Sequence, residues 1–168
     1  MATSDELSAF GQLAELSEEE LHTLAGAGRE VAFPAGHRVI TEGRPADRCW
    51  LIRHGRVLLD AQVPGRGAVV LQTLGGGDLL GWSWLVPPYR WHFGAMTAEP
   101  VETVEFDART LAELADQDPR FGRALAMMLF EALLERLQAT RARLLDLYRN
   151  PTETCNAGPS RFVADRGG

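Results

Sequence analysis

A chain of 168 residues, 45% of them hydrophobic, is long enough to bury one full core and offers no second core-sized segment, so one domain is expected. All 17 basic residues are arginine, which removes lysine Schiff bases, phosphate-loop lysines and lysine-activated nucleophiles. A formal net charge of −6 opposes direct nucleic-acid binding, and the two cysteines, Cys49 and Cys155, are too few for a disulfide framework and not spaced like a zinc motif.

No apolar run approaches bilayer length, and Met1 to Glu6 has neither the basic start nor the apolar stretch of a signal peptide, so a cytoplasmic protein without membrane contact is expected. The first helical signal is Ser17-Glu18-Glu19-Glu20, in which a serine cap is answered by Glu20 and Leu21, Leu24 and Ala25 supply the apolar face. From Arg29 to Asp107 the chain breaks into short apolar runs, among them Glu30–Phe33, Val39-Ile40, Trp50–Ile52 and Val57–Leu59. Gly36, Gly43, Gly55, Gly65, Gly67 and Gly75 to Gly77 punctuate them. Many short strands with tight turns predict a sandwich or barrel, because an antiparallel sheet must cover its apolar face with another sheet.

Helical periodicity returns at Asp107, a cap for Ala108 to Asp116, and at Asp118-Pro119, where a capping aspartate precedes proline at the first helical position. The second helix runs over 119–149 and stops before Pro151. Ala126, Phe130, Leu133, Leu137, Thr140, Leu144 and Leu147 form a seven-residue repeat, which predicts a homodimer along this helix. The alternative is a helix lying along its own barrel, since the early turns carry extra apolar residues such as Met127 and Met128. The expected organisation is a domain over 1–150 and a polar, glycine-rich, disordered tail over 151–168.

This order of elements resembles the cyclic-nucleotide-binding domain family and in particular the sensor half of Crp/Fnr regulators. Phe33-Pro34-Ala35-Gly36 through Asp47 looks like the family's opening hairpin, and Trp50 to Val57 like the strand, glycine turn and strand that follow. Gly77-Asp78-Leu79-Leu80-Gly81 looks like the entry to its phosphate-binding cassette. The resemblance implies a mainly β fold with flanking α-helices: a double-stranded β-helix, or jelly roll, followed by a long C-terminal helix. In the family, the cassette holds a cyclic phosphate with helix-terminal amides and an arginine, and a glutamate accepts the ribose hydroxyl. Here Trp82 stands in the glutamate position, His92 in the arginine position, and Phe93 where a small residue is usual, with Arg90 one or two positions short. Tryptophan cannot accept a hydrogen bond from ribose, and a neutral histidine is a poor substitute for a bidentate arginine. Ordinary cyclic AMP is therefore a disfavoured ligand.

Three of the four tryptophans lie between Gly81 and Phe93, so Gly81, Trp82, Ser83, Trp84, Arg90, Trp91, His92 and Phe93 are the candidate ligand-binding residues. Two readings stay open. The rings fill the space of a nucleotide and turn pocket into core. Or they wall a changed site in which Arg90 or His92 and Ser83 meet a polar ligand.

Among other chemistries, His22, His37, His54 and His92 lack the spacing of a cupin metal site, and Ser83 is not flanked as a nucleophile elbow, so neither a metal nor a catalytic residue is expected. Haem on His92 or Cys49 is conceivable but disfavoured, because a lone histidine or cysteine in a strand is usually a packing residue. The segment after Pro151 is too short for the family's helix-turn-helix. The expected function is a regulatory sensor module, not an enzyme, that takes a small molecule other than cyclic AMP and signals through its long helix to a partner protein. The alternatives are a ligand-free interaction scaffold with a plugged pocket, and a Crp/Fnr-type transcription regulator acting without its own DNA-binding domain.

Overall fold

The computed structural model describes residues 3–8, 10–13 and 16–149. The chain divides within its last helix into two compact units, residues 1–132 and 133–168, and all the strands belong to the first. That unit opens with α1 (Ser4–Ser8), a single 3-10 turn (Gly11–Leu13) and α2 (Glu18–Ala27). The expected capping box is present on α2: Ser17 Oγ accepts from the Glu20 amide at 3.3 Å, and Glu20 Oε2 accepts from the Ser17 amide at 2.8 Å. Helix α1 was not expected, since five residues are too few to display a helical period, yet Leu7, Phe10, Leu13 and Leu16 around it are all buried in the core.

Eight strands follow: β1 (Gly28–Phe33), β2 (Arg38–Ile40), β3 (Arg48–His54), β4 (Val57–Val63), β5 (Gly67–Leu74), β6 (Leu79–Leu80), β7 (Gly94–Thr97) and β8 (Val101–Asp107). They form two four-stranded antiparallel sheets, ordered β1-β8-β3-β6 and β2-β7-β4-β5. Except for the β4-β5 hairpin, consecutive strands alternate between the sheets, the crossover pattern of a jelly roll. The core draws Leu51, Ile52, Val104 and Phe106 from the first sheet and Ile40, Val57, Leu59 and Ala95 from the second. Each sheet thus covers the apolar face of the other.

Helices α3 (Ala108–Gln117) and α4 (Pro119–Arg149) carry the caps that the sequence predicts. Asp107 Oδ1 accepts from the Thr110 amide, and Asp118 Oδ1 from the Arg120 amide, both at 2.9 Å. In the first turns of α4, Phe121, Leu125, Met128, Leu129 and Ala132 enter the core, so this part of the helix does lie on its own barrel. Phe130 is exposed, and within the second unit Leu133, Leu137 and Leu144 are exposed as well. The Leu147 side chain and the tail over 151–168 lie outside the described residues.

Candidate functional site

The cassette segment leaves β6 through Gly81, whose φ of +89° lies in the left-handed region that glycine adopts without strain. A side chain could not replace its hydrogen: a Cβ there would stand 3.0 Å from the Trp91 ring and 3.1 Å from the Arg48 carbonyl oxygen. A 3-10 turn (Ser83–Leu85) comes next, then Val86 to Tyr89 with a cis Pro87-Pro88 peptide, and Tyr89 itself is held at φ +56°. The chain is then laid against the loop after β2. Ala46 donates its amide to the Tyr89 carbonyl at 2.8 Å, Trp91 to Arg44 at 2.9 Å, and Gly43 to Trp91 at 2.8 Å. These bonds tie the backbone of Tyr89 and Trp91 to that loop.

Trp91 is 5% and Phe93 7% exposed, so both are core residues. The Trp91 ring lies 6.1 Å from that of Trp50 and 6.3 Å from Phe93, and Trp82 covers Phe93 at 4.8 Å, tilted by 41°. These are offset geometries that aromatic quadrupoles prefer. Trp50 is anchored in turn, its indole N–H donating to Glu105 Oε2 at 2.9 Å. Glu105 is buried and also accepts from Arg29 and Arg48, so its charge is compensated. On the outer side of the second sheet, Arg38 and the buried Asp60 pair across Gly94, the residue that follows the cassette. A Cβ on Gly94 would sit 2.3 Å from Asp60 Oδ1, so glycine is required by proximity.

The polar candidates are arranged differently from the rings. His92 is exposed, and its Nδ1 lies 3.2 Å from Oγ of the buried Ser83, so these two are brought together. Arg90 is turned towards the backbone, donating from Nη1 to the Gly43 carbonyl at 2.8 Å. Trp84 is buried beside Cys49, and its indole N–H has no partner in ordinary hydrogen-bond geometry. Burial pushes the Cys49 thiol up to about 12; the Trp84 indole acts in the opposite direction, and the Glu105 charge adds to the rise. Such a thiol is protonated at neutral pH and is a poor ligand for haem iron. Among the described residues no three histidine, cysteine or acidic side chains gather as a metal site, and no helix is long and apolar enough to cross a membrane.

The sheet order, glycine turns, cassette and following helices form one continuous pattern, and the family model for the cyclic nucleotide-binding domain matches residues 30–118. The chain belongs to the cyclic-nucleotide-binding domain family. Over 117 residues it is 30% identical to the CRP-like cAMP-activated global transcriptional regulator of Mycobacterium tuberculosis, which covers 70% of this chain and 50% of that protein. The chain therefore spans about half the length of the curated relatives it matches. In structure it is similar to a cyclic nucleotide-binding domain from Methylobacillus flagellatus, with TM-score 0.74, 21% identity, and 84% and 80% of the two chains covered. The catabolite activator protein of Thermus thermophilus superposes with TM-score 0.64 at 23% identity, covering 82% of this chain and 62% of that one. At these identities the structural likeness establishes the jelly roll alone.

Proposed function

We propose that this domain is a homodimeric regulatory module of the CRP type that does not take ordinary cyclic AMP and passes its signal through α4 to a partner protein. The observation that supports this reading is the packing of the cassette. Trp91 lies on Gly81, Phe93 is in the core, Trp82 occupies the glutamate position, and the arginine position holds a histidine paired with Ser83. By the sequence correspondence, the phosphate position carries an imidazole in place of a guanidinium, and the ribose position an indole in place of a carboxylate. Each lost charge-assisted contact weakens binding by about 1.5–3 kcal/mol. The exposed His92, backed by the buried Ser83 hydroxyl, is the place where a different small ligand would be met. The regulatory role follows the family and its curated relative, and it is a role for the domain.

Calorimetric titration with cyclic AMP and cyclic GMP tests this directly. Binding no tighter than millimolar, about 4 kcal/mol of affinity, is the expected result. Saturable micromolar binding would overturn the reading and return attention to Arg90. A second reading, a ligand-free interaction scaffold, is favoured by the depth of Trp91 and Phe93 in the core. Native mass spectrometry of the protein from its own host separates the two, because a retained small molecule is expected only of the sensor.

A further inference from the structure

The same segment that turns its rings inward turns an apolar lobe outward. Leu85, Val86, Pro87, Pro88 and Tyr89 are five consecutive exposed residues, with Val86 at 60% and Tyr89 at 53% exposure. An unbroken apolar run in water is unfavourable, and on soluble proteins such patches mark contact surfaces. This one is also held rigidly. The Ala46–Tyr89 and Trp91–Arg44 backbone bonds, the Tyr89 amide donating to the Val86 carbonyl at 3.0 Å, and the Arg90 bond to Gly43 fix it from both ends. Tyr89 keeps a left-handed backbone, a conformation that is costly for a non-glycine residue and that concentrates at functional sites.

The rim of the lobe states the charge of its occupant. Arg90 is bridged to Pro45, and Arg44 is the next residue along that ladder; both arginines are exposed, and among the described residues neither meets a carboxylate. The nearby Asp47 is instead drawn to Arg48 at 3.9 Å. In a chain of net charge −6, a positive rim on an apolar tip is a local exception. Tyrosine and arginine are the residue types enriched at interface hot spots. We infer that the Leu85–Tyr89 lobe is a docking surface for a protein partner that offers an apolar cleft edged by carboxylates. The inference rests on the regulatory reading above, and it places the protein contact on the cassette itself, in addition to α4. A pre-ordered lobe loses little conformational freedom on docking, which favours a folded partner over a fluid lipid surface.

The test uses the full chain, tagged and purified from its own host, as wild type, Val86→Glu, Arg44→Glu and the control Val69→Glu on β5. Proteins held by wild type and released by Val86→Glu are then purified and titrated against all four. All three sites are exposed, so melting temperatures should stay close to wild type and report folding. The expected result is an affinity that falls at least tenfold with Val86→Glu, falls several-fold with Arg44→Glu, weakens with added salt, and stays within twofold for Val69→Glu. The inference is overturned if no protein distinguishes wild type from Val86→Glu, or if the purified partner's affinity is unchanged by that substitution. Flotation with phosphatidylglycerol vesicles that Val86→Glu abolishes would likewise overturn it in favour of a lipid surface. The titration with cyclic AMP remains a separate readout: tight nucleotide binding would remove the functional reading without touching the Val86→Glu comparison.

Discussion

Trp82 and Trp91 are alike in sequence and unlike in position. Trp91 is wedged between Gly81, Trp50 and Phe93, whereas Trp82 lies over Phe93 and keeps part of its surface in water. Truncating a fully packed ring removes its transfer free energy and leaves a cavity, so Trp91→Ala should cost about 3–5 kcal/mol. Trp82→Ala should cost clearly less, because a half-buried ring leaves no closed void. Urea unfolding of both variants beside wild type checks the order, and equal losses would mean that Trp82 plugs the fold as deeply as Trp91. The same geometry explains why the two could not be ranked from the sequence: both follow the Gly81 turn region in an aromatic run with no strand or helix period to assign an inward face.

At the scale of single elements, α3 depends on the residue that caps it, Asp107 at the end of β8. The Thr110 amide on its oxygen holds the Asp107 carboxyl below the ordinary carboxylate range, while its slight burial acts the other way. Replacing this cap by alanine, Asp107→Ala, should destabilise the protein by about 1 kcal/mol. Because the folded-state pKa is depressed, the cap contributes fully above the unfolded value of about 3.9 and is lost as pH falls through the folded value. The gap between wild type and Asp107→Ala in urea midpoint should therefore be present at neutral pH and shrink in acid below about pH 4. A gap unchanged in acid would show that the carboxylate charge is not its source. This cap, like those at Ser17 and Asp118, was legible in sequence because capping is local: donor and acceptor lie within three residues of each other.

For the whole molecule, the open question is what covers α4. Leu137 is 65% and Leu144 52% exposed, in register with Phe130 and Leu133, a spacing that suits a second copy of the same helix. Placing aspartates at Leu137 and Leu144 should dissociate the expected dimer, since an unpaired charge at a buried seam costs several kcal/mol, about 3–5 in related cases. Sedimentation of the double variant and wild type at micromolar concentration reads this out. A monomeric wild type would defeat it. The fold of the first unit does not depend on Leu137 and Leu144, because the α4 residues in its core are Phe121, Leu125, Met128, Leu129 and Ala132.

What the sequence by itself determined was everything carried by local rules, namely the caps, the glycine-bounded strands and the long helix, while the jelly roll came with the family that their order resembles. Only the tertiary structure decided which residues meet across distance. Leu7 and Leu13 enter the core from a helix too short to show a period, Arg38 and Asp60 pair over Gly94, and Glu105 gathers Arg29, Arg48 and Trp50 from two neighbouring strands. The tertiary structure also decided that Arg90 turns to a backbone carbonyl while the neighbouring Val86 to Tyr89 face water. The physical reason is that propensity and capping act over a few residues, whereas burial and ion pairing depend on a register between strands far apart in the chain, which no local period encodes.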